Sequence, residues 1–175
     1  MIQHVFLLGF MGSGKSHWGR VAAEKTGRPF ADLDALIEER EGKAIPEIFA
    51  ESGEAGFREL ERKYLHTLVD FPPSIVAAGG GAPCFFDNMD WMKRNGLTVY
   101  LKTPPEILLE RLKKGHDRRP LLKNLNESER YDFVQNLLQE RELFYLRADY
   151  TLKHAGDDAA FLKQLLALID RNPVY

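Results

Sequence analysis

Val5-Phe6-Leu7-Leu8-Gly9-Phe10-Met11-Gly12-Ser13-Gly14-Lys15-Ser16 is the stretch that decides the fold. Four consecutive apolar residues ending at a glycine read as a strand buried on both faces. From Lys15 the period becomes helical: Trp18, Val21, Ala22 and Lys25 recur on one side, and Gly27 closes the segment. Between them, Gly9 to Ser16 fits G-x-x-x-x-G-K-[ST]. The glycines let the backbone curl so that successive N–H groups face phosphate oxygens, and the following helix adds the positive end of its dipole. In such a loop Gly12, Ser13 and Gly14 cradle phosphates, Lys15 reaches the β- and γ-phosphates, and the Ser16 hydroxyl binds Mg²⁺.

Outward from this loop, short apolar runs alternate with helical ones. Phe30 to Leu33, Ser74 to Ala78, Leu97 to Leu101 and Asp149 to Lys153 read as strands. Pro46 opens a short helix with Ile48 and Phe49 inward. Glu54 begins a longer one with Phe57, Leu60, Tyr64, Leu65 and Leu68 on one face. Thr103-Pro104-Pro105-Glu106 supplies an N-cap, a first-turn proline and a capping-box glutamate for a helix carrying Leu108, Leu109 and Leu112. Asn126 caps a helix carrying Tyr131, Val134, Leu137, Leu138, Phe144 and Tyr145, and Asp157 or Asp158 starts the last, with Phe161, Leu162, Leu165, Leu166 and Ile169 inward. The alternation implies an α/β chain, a central parallel sheet with helices on both faces, and a ligand beyond the carboxyl ends of the strands.

Composition narrows the classes. The chain has 175 residues, so one domain over 1–175 is expected, and no linker or repeat divides it. Lys+Arg 24 against Asp+Glu 26 leaves no positive excess to coat nucleic acid. The single cysteine, Cys84, excludes an internal disulfide and a cysteine-cluster zinc site, and reads as a packing residue. No apolar run is long enough for a membrane span, and the apolar start lacks the basic flank of a secretory signal, so the cytoplasm is the expected compartment. The guanine-reading Asn-Lys-x-Asp of GTPases is missing. A compact P-loop kinase acting on a small molecule is the simplest remaining class.

Other segments carry chemistry with a plain alternative beside each. Asp32 and Asp34 share a face if both lie on the strand, which suits metal-water binding and proton acceptance from a hydroxyl; otherwise one of them caps the next helix. Glu54–Arg58 and Arg58–Glu61 are helical i,i+4 and i,i+3 pairs: a solvated salt-bridge face, or an arginine held by carboxylates to grip an anion. Gly79-Gly80-Gly81 follows a buried strand and admits either close backbone approach to a ligand or a flexible turn. Arg118-Arg119-Pro120 sits in a polar, Gly/Pro-broken segment, either a solvated basic loop or a lid closing on a triphosphate. Arg141 reads as a surface residue, and the five histidines show no metal spacing.

Together these segments resemble shikimate kinase over nearly the whole chain and in order: Gly12-Ser13-Gly14-Lys15-Ser16, Asp32-x-Asp34, Gly53-Glu54, Phe57-Arg58-x-x-Glu61, Gly79-Gly80-Gly81, Arg119-Pro120-Leu121-Leu122, and Arg141 four before Tyr145. The P-loop belongs to a large superfamily; the combination with the carboxylate pair, the Phe-Arg segment and the triple glycine is far more specific. The resemblance implies a P-loop kinase fold with a substrate-binding helical region over about 33–61 and a mobile lid over about 112–124. It implies ATP-dependent phosphorylation of the shikimate 3-hydroxyl, on the route to chorismate and the aromatic amino acids, by a monomer using Mg²⁺. In that pattern Asp34 is the base and holds substrate hydroxyls, and Asp32 holds Mg²⁺ through water beside Ser16. Arg58 and Arg141 bind the carboxylate, Glu61 orients Arg58, Gly80 lies against the ring, and Gly79 and Gly81 belong to the same substrate site. Lys15 and the lid residue Arg119 serve catalysis, and Arg111 packs on adenine. His17 stands where the family has Thr or Ser, keeping the backbone N–H but losing a hydroxyl, and Ala44 replaces a capping serine. A gluconate kinase shares Lys15 and Ser16 but not Arg58, the triple glycine and Arg141. A non-catalytic nucleotide-binding module would lack Asp34 and Arg119.

Overall fold

The computed structural model describes residues 4–113, 120–122, 125–154 and 156–172. Strands β1 (His4–Leu8), β2 (Phe30–Asp32), β3 (Ile75–Ala77), β4 (Gly96–Lys102) and β5 (Tyr150–Lys153) form one sheet in the order β2-β3-β1-β4-β5. Every pairing is parallel, with Val5 opposite both Ile75 and Leu97. The helices are α1 (Lys15–Thr26), α2 (Leu33–Glu41), α3 (Ile45–Thr67), α4 (Asn88–Asn95), α5 (Pro105–Lys113), α6 (Glu127–Tyr145) and α7 (Asp158–Arg171).

The alternation of β1 explains the layering. Val5 and Leu7 point to the face covered by Trp18, Ala22 and Ala23 of α1 and by Phe161, Leu165 and Ile169 of α7. Phe6 and Leu8 point to the other, covered from the remaining helices by residues such as Leu65, Met92, Leu108 and Val134. Both faces are dry, as a parallel sheet requires. Three loops leave the carboxyl ends of the adjacent strands β1, β2 and β3, bringing the P-loop, Asp34 and the triple glycine to one edge.

Several local readings change. β2 stops at Asp32 rather than Leu33, and Leu33 already begins α2, inside the helical region that the resemblance implies over about 33–61. The helix α4 lies in a stretch given no element above. α3 runs across both expected helices and bends at Gly53, whose φ of 67° and ψ of −175° suit only glycine. Ala44 leaves only half a capping box there: its N–H donates to Glu47 Oε2 at 2.8 Å, with no side-chain oxygen in return. Lys25 is exposed rather than inward, as is Tyr131. Thr103 does not cap α5; its hydroxyl is buried without a partner among the described residues. Asn126 does cap α6, accepting from the Glu129 N–H while Glu129 returns the bond, and Asp157 caps α7. Most of the expected lid, with Arg118 and Arg119, lies outside the described residues; Pro120–Leu122 is a single 3₁₀ turn.

Candidate active site

The loop after β1 turns on Gly12 and Gly14, at φ 84° and 92°, and delivers Lys15 to the first turn of α1. Lys15 Nζ donates to the Gly9 and Phe10 carbonyls at 2.8 and 3.0 Å, folded over the loop. Ser16 Oγ donates to Asp32 Oδ2 at 2.5 Å. The other oxygen of Asp32 caps α2, accepting from the N–H groups of Asp34 and Ala35. Asp32 therefore both caps the helix and reaches the P-loop, and Asp34 stands in the first turn of α2, not on a strand face. Burial, then the charge of Asp32, pushes the Asp34 carboxyl up to about 6, against the pull of Lys15 and Arg58.

Arg58 is not on a solvated face. It is 4% exposed, and Glu61 is 1% exposed. Arg58 Nη1 donates to Glu61 Oε2 at 2.5 Å, while Nη2 and Nε both donate to Glu54 Oε1. Burial alone would pull the guanidinium down, but Glu61 and Glu54 more than offset it. Burial pushes the Glu61 carboxyl up, to about 7, with Arg58 pulling the other way. The Arg58 guanidinium lies against Gly81, and its central carbon is 4.4 Å from the centre of the Phe85 ring and 5.4 Å from that of Phe57.

The triple glycine is a matter of close approach. A Cβ on Gly79 would stand 2.5 Å from Glu61 Oε1 and 2.8 Å from Asp34 Oδ1; one on Gly81 would stand 2.4 Å from Arg58 Nη1. Gly80 borders Met11 N of the P-loop on one side and Arg141 Nη1 on the other. Arg141 is 5% exposed, so it is no surface residue either, and its guanidinium lies 5.9 Å from the centre of the Phe10 ring.

These groups shape two adjoining cavities. One, of about 140 Å³, is lined by Asp34, Phe57, Arg58, Glu61, Gly80 and Arg141. The other, of about 270 Å³, lies over the P-loop and is lined by Lys15, Ser16, His17 and Asp32. Met11, Asp34 and Gly80 line both, so the carboxylate stands in the shared wall. Behind the P-loop, a third cavity of about 380 Å³ has Gly12, Gly14, His17, Trp18 and Arg111 in its walls. Arg111 Nη1 donates to the Gly12 carbonyl at 3.0 Å. Its Nη2 reaches His154 Nδ1 at 3.4 Å, and His154 Nε2 contacts Asp158 Oδ1 at 2.7 Å. The carboxylate must accept, so Nε2 carries the proton and Nδ1 accepts from Arg111. A larger apolar cavity, of about 530 Å³, opens between α5 and α6 beside Leu109, Leu112 and Val134, with none of the candidate residues in it.

Phe85 and His154 escaped the sequence reading. Phe85 follows the triple glycine closely enough to have been a candidate; His154 offers no local signal. Cys84 is as expected: burial pushes its thiol up to about 11, far from nucleophilic. Among the described residues no His, Cys, Asp or Glu cluster could hold a metal by itself.

Comparison with known proteins agrees with this geometry. A family model described as shikimate kinase matches residues 11–170. The shikimate kinase of Bacteroides thetaiotaomicron is 47% identical over 146 residues, 83% of each chain. That of Phocaeicola vulgatus is 43% identical over 166 residues, 95% of this chain and 94% of the other. The solved structure of shikimate kinase from Acinetobacter baumannii in complex with shikimate superposes with a TM-score of 0.88 at 36% identity, covering 100% of this chain and 97% of that one. With the family model spanning residues 11–170 and relatives this similar over most of the chain, the chain belongs to the shikimate kinase family.

Proposed function

We propose that this chain transfers the γ-phosphoryl group of ATP to the 3-hydroxyl of shikimate, giving shikimate 3-phosphate for chorismate and aromatic amino-acid synthesis. The observation that carries it is the shared wall: Asp34 borders both the P-loop cavity and a cavity also lined by two buried arginines. A small anion with vicinal hydroxyls fits that polarity. Arg58 and Arg141 bind its carboxylate, Glu61 fixes Arg58, and the opposite hydroxyl meets Asp34 beneath the phosphate loop. Asp34 accepts the hydroxyl proton as the oxygen–phosphorus bond forms, and the bond from the γ-phosphorus to the bridging oxygen of ADP breaks. Lys15 leaves its loop carbonyls for the β- and γ-phosphates, and the adenine lies toward Arg111. Arg119, outside the described residues, belongs to the lid that closes on ATP.

Ser16 and Asp32 suit Mg²⁺. Their oxygens are hard donors already within hydrogen-bond distance, and Mg²⁺ keeps most of its waters and takes few protein ligands. Ser16 would hold it directly and Asp32 through water, and its charge would neutralise the phosphates. We read the chain as one cytoplasmic domain acting as a monomer; among the described residues no helix is long and apolar enough to cross a membrane.

Gluconate is also a hydroxylated carboxylate, so the decisive assay sets it beside shikimate. ADP release with ATP should depend on shikimate, and phosphate should appear on its 3-hydroxyl by phosphorus–proton NMR. Equal turnover of gluconate, or phosphate on another oxygen, contradicts the proposal.

A further inference from the structure

Tyr145 is fully buried, yet it carries a hydroxyl where phenylalanine would fill the same space. That hydroxyl donates to the Gly80 carbonyl at 2.5 Å, between segments 65 residues apart. Arg141 lies one turn earlier on α6. Arg58 rests on Gly81, the residue after the one Tyr145 holds. One guanidinium of the acceptor cavity is thus carried by α6 and the other is backed by the glycine segment. The Tyr145–Gly80 bond ties those two supports together beside the cavity. The same turn of α6 is fixed separately to β4: Glu142 accepts from the Tyr100 hydroxyl at 3.1 Å and pairs with Lys102 at 2.7 Å. Those contacts hold the helix to the sheet; toward the glycine segment α6 packs on the turn at Ala82–Cys84, and the Tyr145 hydroxyl is a polar link there, meeting Arg141 as well as the Gly80 carbonyl.

We infer that Tyr145 is a positioning residue for the acceptor, setting the spacing of Arg58 and Arg141 through its hydrogen bond to Gly80. This rests on the reading that the two arginines bind the substrate carboxylate. It touches no substrate itself; its effect passes through Arg141 and the glycine backbone.

The test is Tyr145→Phe, which removes one oxygen. The KM for shikimate should rise roughly fivefold to tenfold, the loss of one good hydrogen bond, with the KM for ATP within about twofold of wild type. Placed in an Arg141→Ala background, the same substitution should change the shikimate KM by less than about twofold, because the spacing it sets no longer matters. Glu142→Gln loosens the same helical turn from β4 while sparing Gly80, and should leave the shikimate KM near wild type. An unshifted KM in Tyr145→Phe, equal rises for both substrates, full additivity with Arg141→Ala, or an equal rise in Glu142→Gln overturns the inference. A wild-type chain inactive on shikimate defeats the functional reading; an active wild type with an unshifted Tyr145→Phe defeats only the role of Tyr145.

Discussion

A guanidinium lining a binding cavity must be held in place and charged before substrate arrives, and Arg58 is held by several groups. Glu54 and Glu61 accept from its N–H groups, and Gly81 and the Phe85 ring lie against the guanidinium. Arg58 and Arg141 line one cavity. A charge-assisted hydrogen bond contributes about 1.5–3 kcal/mol. Arg58→Ala should therefore raise the KM for shikimate roughly 10- to 150-fold, with ATP affected little. Shikimate methyl ester should be poor with wild type and lose much less on the substitution, and steady-state kinetics on the four combinations give the coupling directly. Arg58→Lys should rescue only partly, since an ammonium lacks the planar two-point contact. Equal losses on acid and ester would leave Arg58 a structural residue. Asp34 poses the opposite problem, a carboxylate that must ionise to accept a proton but sits where ionisation is costly, with a pKa of about 6. Because the acceptor form is the ionised one, kcat/KM should fall about tenfold per pH unit below 6 and level off above. Asp34→Asn should remove that limb and cut kcat by about 10²–10⁴-fold while ATP binding holds. The raised pKa means the folded state binds the proton more tightly than the unfolded chain, so stability from this group is full below the ordinary carboxylate range and is lost as pH rises through 6. At neutral pH the asparagine variant should melt no lower than wild type; a lower melting point would make Asp34 structural.

At the scale of elements, the segment after β3 does more than its three residues suggest. Its glycines leave room for the side chains of Asp34, Glu61 and Arg58, groups brought by α2 and α3. Gly81→Ala should displace the Arg58 guanidinium, because the added Cβ would stand 2.4 Å from its Nη1. Misplacement of about an ångström typically costs on the order of 10²-fold, so a shikimate kcat/KM loss of roughly 10- to 100-fold is expected, with the KM for ATP unchanged. A wild-type shikimate profile would mean the guanidinium has room to shift. The same segment explains what the sequence could and could not disclose. The P-loop and the strands beside it were legible because their signals are local: apolar runs, glycine spacing, a lysine at the right offset. The ends of α6 and α7 were legible through Asn126 and Asp157 for the same reason. The burial of Arg58 was not, because a Glu–Arg–Glu pattern on a helix looks alike whether solvent or Gly81 and Phe85 lie against it. Arg141 was hidden similarly, its neighbours Phe10 and Gly80 being distant in sequence. Asp32 and Asp34 left two readings open, a shared strand face or a cap on the next helix, and the structure takes the second: Asp32 is the N-cap of α2 and Asp34 lies in its first turn. What the residues left open, the family resemblance supplied, and it named Arg58 and Arg141 together.

Across the whole molecule, the two cavities are built largely from different elements. The P-loop side draws on β1, α1 and Asp32; the acceptor side draws on α2, α3, the glycine segment and α6; they meet at Met11, Asp34 and Gly80. Damage to one should therefore leave binding at the other intact. Lys15→Met is the sharpest case. Lys15 Nζ bonds the Gly9 and Phe10 carbonyls of its own loop, and the sheet and both apolar layers form without it. The unliganded variant should melt within a few degrees of wild type. A ligand at 100 times its Kd stabilises by about 2.7 kcal/mol, roughly 5–10 °C for a chain of this size. Shikimate should give wild type and Lys15→Met the same shift at equal concentration. A non-hydrolysable ATP analogue should give the variant a much smaller shift, because its β/γ cation is gone. Turnover should fall by far more than tenfold, since Lys15 acts on charge that develops as the phosphoryl group moves. More than a tenth of wild-type kcat/KM, equivalent to about 1.4 kcal/mol or less of lost stabilisation, would contradict the P-loop mechanism. Loss of the shikimate shift would instead show that the cavities are coupled through their common wall, and the independence of the two halves would be wrong.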